Sequence, residues 1–182
     1  TNVSTAGPTN VSSWNNQGLL GAAGNATPST ANVPTLVTGA LNGQNVIDFP
    51  LTPAPTVLQS PTFGTPMAQA NHVFLVLNRD TAANDMTVFD GVVEGGRHFV
   101  HFAASGIHMY AGASAIGGGA LSTGSYRIFS AIFNGASSQI DVNAAAYLSG
   151  SVGAQPLSRI ALGNTPPNSN PAGFQFDGQY AE

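Results

Sequence analysis

The chain has 182 residues, 42% of them apolar, and carries four arginines and no lysine against eight acidic residues, for a net charge of −4. So few cations exclude the phosphate neutralisation that drives nucleic-acid binding, and equally the attraction to anionic membrane surfaces. The lack of cysteine excludes disulfides and thiol chemistry, and no apolar run approaches the ~20 residues needed to span a bilayer.

Taken in chain order, the first 32 residues are rich in Asn, Thr, Ser, Ala and Gly and open with a near-repeat, Thr1-Asn2-Val3-Ser4 and Thr9-Asn10-Val11-Ser12. They hold too few large apolar side chains for a core, so residues 1–32 read as an extended arm or linker that joins the main body near Trp14. Residues 33–182 then show short apolar runs bounded by Gly, Pro and Asn, with no sustained 3.6-residue period. The runs predict strands at Asn45–Phe49, His72–Leu77, Met86–Phe89, His98–Ala103, Ile107–Ala111, Tyr126–Phe133, Gln139–Val142 and Arg159–Leu162. Between the fifth and sixth, Gly112–Gly124 reads as a mobile loop. In Tyr126–Phe133, Tyr126, Ile128 and Ile132 share one face while Arg127, Phe129 and Phe133 share the other. Apolar groups on both faces mark a central strand, with loops or a partner over part of its outer side. Many short strands and almost no helix predict an all-β, two-sheet antiparallel jelly-roll sandwich.

The order of several marks is more specific. Trp14-Asn15-Asn16-Gln17-Gly18 is followed by Pro34-Thr35-Leu36-Val37 and Asn42-Gly43-Gln44-Asn45-Val46-Ile47-Asp48-Phe49, then by the apolar run Val73–Leu77. Ile132-Phe133-Asn134-Gly135, Ile140-Asp141-Val142-Asn143, Leu162-Gly163 and Phe176-Asp177-Gly178-Gln179-Tyr180-Ala181-Glu182 come after it. This arrangement resembles the concanavalin A-like lectin/glucanase superfamily in its laminin-G-like branch, as found in phage structural proteins, over residues 11–182. Two departures stand out. Val142-Asn143-Ala144 replaces the expected Val-Asn-Gly turn. The sequence given also stops where the resemblance implies further apolar residues, so the expectation is a longer chain, or a sheet completed by a neighbour.

A glycosidase of this superfamily would carry paired carboxylates in an E-x-D-x-x-E strand, and the sequence has only Glu94 and Glu182. The expectation is therefore a non-enzyme. Gly-x-Ser-x-Gly is absent, and Gly117–Gly119 has no following Lys to make a phosphate loop. His98 and His101, three apart on a strand, point to opposite faces and cannot chelate together, although His108 could approach either across a hairpin. The resemblance implies that calcium is possible, with Asn84, Asp85, Asp90 and Asp177 as candidate ligands, but the sequence lacks a dense calcium loop. Asp90-Gly91 also reads simply as a turn. Candidate sugar platforms are Tyr110, Tyr147 and Trp14, the last expected from the resemblance to be a packed structural residue.

These readings favour a non-catalytic surface module of a virus particle (capsid decoration, head fibre or tail adhesin) with neighbouring protein subunits as partners, possible glycan attachment and an extracellular or virion-surface location. The alternative is a secreted carbohydrate-binding lectin module. A degenerate glycoside hydrolase comes third.

Overall fold

The computed structural model describes residues 2–52, 55–82, 85–91, 95–165 and 174–181. Its strands in the first half are β1 (Val3–Thr5), β2 (Val11–Trp14), β3 (Thr27–Pro28), β4 (Thr35–Leu41), β5 (Gln44–Phe49), β6 (Leu58–Gln59), β7 (Asn71–Arg79) and β8 (Met86–Asp90). Then come β9 (Phe99–Ala103), β10 (Gly106–Tyr110), β11 (Ser114–Gly118), β12 (Arg127–Phe133), β13 (Ser138–Val142), β14 (Ala145–Gly150), β15 (Ala161–Leu162) and β16 (Gly178–Ala181). Two seven-stranded antiparallel sheets form a sandwich. The first runs β11-β10-β9-β8-β15-β6-β3, the second β14-β13-β12-β7-β16-β5-β4.

The core lies where the inward positions of both sheets meet. Val100, Phe102, Ile107 and Met109 of the first sheet face Ile47, Leu77, Phe129, Phe133 and Tyr180 of the second, and all are buried. Phe102 packs against Phe129 at 5.7 Å between ring centroids, and Tyr180 lies edge-on to Phe49 at 5.2 Å. Burying such rings is the main favourable term for a chain this poor in charge. The Tyr180 hydroxyl donates to the Val88 carbonyl across the sandwich at 2.6 Å, so its polar tip is satisfied.

Residues expected as an arm are packed onto the body. Val3 and Val11 are buried in the core, Trp14 packs against it, and β3 forms the edge of the first sheet through β6. The segment expected as a mobile loop contains β11, which pairs with all five residues of β10. Here the main chain supplies the order that its small side chains do not. Gly117 runs so close to Gly106 that a Cβ on Gly106 would meet the Gly117 carbonyl oxygen at 2.2 Å.

The departure at Val142-Asn143-Ala144 is resolved as a two-residue hairpin turn with Val142 opposite Ala145. Asn143 (φ 52°) and Ala144 (φ 64°) both adopt the left-handed region that such a turn requires. The final strand β16 lies inside the second sheet, pairing with β5 over four residues and with β7 over three. From Asn71 to Val76, β7 is paired by β12 alone among the described strands. Its inward Val73 and Leu75 are only half-buried there, and outward Phe74 is 65% exposed.

Candidate functional site

The outward face of the first sheet carries the site. Cross-strand pairing places Thr87, His101 and His108 in one row, and Asp90, Phe99 and Tyr110 in the next. Residues directly opposite on antiparallel strands share a face, so aromatic and polar groups from three strands converge. They open into a pocket of about 390 Å³ lined by Asp85, Arg97, Phe99, His101, Ala103, His108, Thr165 and Phe174.

Four rings form its apolar part. His101 stacks on Phe99 at 5.2 Å and meets His108 edge-on at 6.2 Å. Phe174 closes against His101 at 5.2 Å. Phe174 is remote in sequence, and its own carbonyl anchors it by accepting the Thr87 N–H at 2.9 Å.

The polar rim is held by one ion pair. Arg97 donates from Nε to Asp90 Oδ1 at 2.8 Å and from Nη2 to Asp90 Oδ2 at 2.7 Å, while its guanidinium lies 4.7 Å from the Phe99 ring centroid. Asp90 is fully buried, so the fork fixes a charge that could not stand alone in the interior. Across the pocket, Asp85 Oδ1 sits 3.1 Å from His101 Nε2. Burial pushes the His101 imidazole below its usual range, outweighing the opposing hydrogen bond and charge of Asp85. Burial and then Arg97 do the same to His108. Both rings are therefore neutral near pH 7, and His101 meets Asp85 as an N–H donor.

The sequence-derived residues divide. Tyr110 lies beside the pocket, half-buried and opposite Phe99. Trp14 is half-buried, with its backbone tied to Ala26 and its ring against the core. Tyr147 braces the end of β11. Its hydroxyl donates to the Gly119 carbonyl at 2.6 Å, and its ring lies so tightly on Gly118 that a Cβ there would meet it at 2.0 Å.

The described candidates for calcium, Asp85, Asp90 and Asp177, form no metal-binding group with other His, Cys, Asp or Glu side chains. Asp85 is at the pocket rim, and Asp90 is in its ion pair rather than in a solvated turn. Asp177 accepts the Leu51 N–H at 3.2 Å near Asp48 and Asp80. Asn84 lies outside the described residues. No group of three or more His, Cys, Asp or Glu side chains able to hold a metal ion is found among the described residues. His98, turned inward, stacks on Phe133 at 4.3 Å and bonds the Gln155 carbonyl, away from His101.

Arg97, Phe99 and Phe174 were not singled out from sequence. The run Phe99-Val100-His101-Phe102 shows no apolar–polar alternation to say which face is outward, because both faces are buried.

No protein-family model matches the chain, and no curated protein matches it. Among solved structures it is similar to domain 4 of AbnA, a GH43 extracellular arabinanase from Geobacillus stearothermophilus, solved in complex with arabinotriose. The identity is 15%, covering 90% of this chain and 82% of that one, with a TM-score of 0.63. A likeness at that identity shows the fold, a two-sheet β-sandwich.

Proposed function

We propose that this protein is a non-catalytic carbohydrate-binding module working outside the cell, and that its ligand enters the outward pocket of the first sheet. One observation carries the reading: four aromatic rings and a fixed polar rim converge in a concavity of about 390 Å³. A sugar ring offers apolar C–H faces and a hydroxyl edge, and it is matched by aromatic walls beside a few placed polar groups. The structural neighbour's arabinotriose complex supports the same reading. The finer laminin-G-like placement rests on the ordered sequence marks alone.

The virus-particle role draws on composition and on that same resemblance, and it finds no support in the structural likeness. The carbohydrate-binding alternative is therefore the better reading. Catalysis would need two facing carboxylates; among the described residues Asp85 at this pocket is engaged with His101, and Asp90 beside it with Arg97.

The test is electrophoresis through gels containing arabinan, xylan, galactan or mannan. Retardation by at least one is expected, and Phe174→Ala should weaken it roughly two- to tenfold, the worth of one aromatic contact. No retardation by any of these polysaccharides, or an unaffected Phe174→Ala variant, would refute the proposal.

A further inference from the structure

We infer that the pocket accepts an uncharged sugar unit and turns anionic sugars away, and that Asp85 is the residue deciding this; the inference rests on the carbohydrate-binding reading above. The argument starts from how each charged group at the rim is used. An anionic sugar such as a uronate is ordinarily held by a guanidinium fork that grips its carboxylate with two parallel N–H donors. Among the described lining residues Arg97 is the cation, and the Nε–Nη2 edge of its fork is already engaged with Asp90 at 2.8 and 2.7 Å. Turning that edge to a ligand would deprive a fully buried carboxylate of its cation. The two charges cancel, and Arg97 instead acts as a flat wall over Phe99.

His101 and His108 add no positive charge near pH 7, because burial disfavours their protonated forms. Among the described lining residues the uncompensated charge is then that of Asp85, whose side chain is 57% exposed. Its backbone stands in the left-handed region at φ 63°, and the His101 imidazole N–H steadies one oxygen from the pocket side. An ionised carboxylate only accepts hydrogen bonds. A sugar hydroxyl donates to it and is bound. The carboxylate of a uronate, or a sulfate group, has no proton to offer and meets a like charge at short range. The rim is thus complementary to hydroxyl donors and repels acceptor-only anions.

The test compares gel retardation and calorimetric titration of the intact protein with neutral arabinan, xylan and galactan against polygalacturonate, all at low salt. Asp85→Asn is the informative variant, because Asn tolerates the left-handed conformation and removes only the charge. Asp141→Asn, on the opposite sheet, is the charge-matched control for the general effect of net charge. Wild-type protein should bind a neutral polysaccharide and show little or no affinity for polygalacturonate. Asp85→Asn should gain roughly fivefold or more for polygalacturonate while losing part of its neutral binding, and Asp141→Asn should not. Preference of the wild type for polygalacturonate would overturn the inference and leave carbohydrate binding standing. Equal gains in both variants would overturn the role of Asp85. Failure to bind any polysaccharide would remove both this inference and the reading beneath it.

Discussion

Replacing Arg97 by Met tests whether the Asp90–Arg97 pair holds the pocket wall. The substitution keeps an apolar stem over Phe99 but removes the two hydrogen bonds and the cation that Arg97 supplies to a carboxylate with no solvent exposure. Breaking a buried pair from one side costs about 3–5 kcal/mol, mostly because the remaining charge stays buried. The Arg97 side chain is 29% exposed, so water can reach part of the site and the lower end applies, about 3 kcal/mol. The lost cation–aromatic contact adds about 0.5–1 kcal/mol. For a chain of this size each kcal/mol moves Tm by roughly 2–4 °C, so Arg97→Met should melt about 7–16 °C lower. The double variant Asp90→Asn, Arg97→Met removes the stranded charge and should recover at least half of that loss. Urea unfolding followed by circular dichroism measures all three proteins. A cost under about 1 kcal/mol for the single variant, or a double variant no more stable than it, would show that the pair does not carry this role.

Three other outcomes follow from particular contacts. Ala144→Gly should stabilise the protein by about 0.5–1 kcal/mol in the same unfolding assay, because it relieves a β-carbon held at φ 64°; unchanged or lower stability would count against a strained turn. Gly163→Ala should destabilise by about 2–4 kcal/mol, since at φ 89° its new Cβ would lie 2.1 Å from the Phe49 ring and 2.8 Å from the Thr56 carbonyl oxygen. A loss below 1 kcal/mol would mean the core yields there. Stability should also depend on pH in two windows of opposite sign. His98, His101 and His108 are lowered by burial, so the unfolded chain takes up protons that the fold refuses. Stability is then full above the ordinary value of 6.5 and falls as pH drops through the depressed values. Asp48 and Asp80 are raised from 3.8, chiefly by burial, so the fold binds their protons first and regains some stability as pH falls toward 4. A melting temperature flat from pH 7.5 to 5.5 would contradict the histidine part.

The fold was legible wherever a strand buries one face. Gln139–Val142 alternates wet and dry positions and is β13 with one residue added, and Tyr126–Phe133 is β12 with one removed. The two-residue strands β3 and β6 were not legible as such, because pairing rather than side-chain pattern defines them, whereas β15 falls inside the expected Arg159–Leu162 strand. The alternation rule did place His98 and His101 on opposite faces, which the structure shows. It gave no hint of Phe174, brought to the pocket by a backbone hydrogen bond across 87 positions of chain, from Thr87 to Phe174. Asp90 read as a turn residue because Gly91 follows it; its partner seven residues on was invisible until β8 and the approach to β9 lay side by side. Tyr110 was singled out for its aromatic character and falls next to the pocket, whereas Tyr147 braces Gly118.

The protein's four histidines provide a direct readout of where a sugar binds. His101 and His108 line the pocket, His98 is sealed inside against Phe133, and His72 lies exposed on the other sheet beside Phe74. Imidazole proton–carbon NMR spectra recorded during titration with a bound neutral oligosaccharide should show the His101 and His108 signals moving together along one binding curve, with His98 and His72 still. Movement of His72 with His101 and His108 unchanged would place the ligand on the opposite face and contradict the pocket assignment.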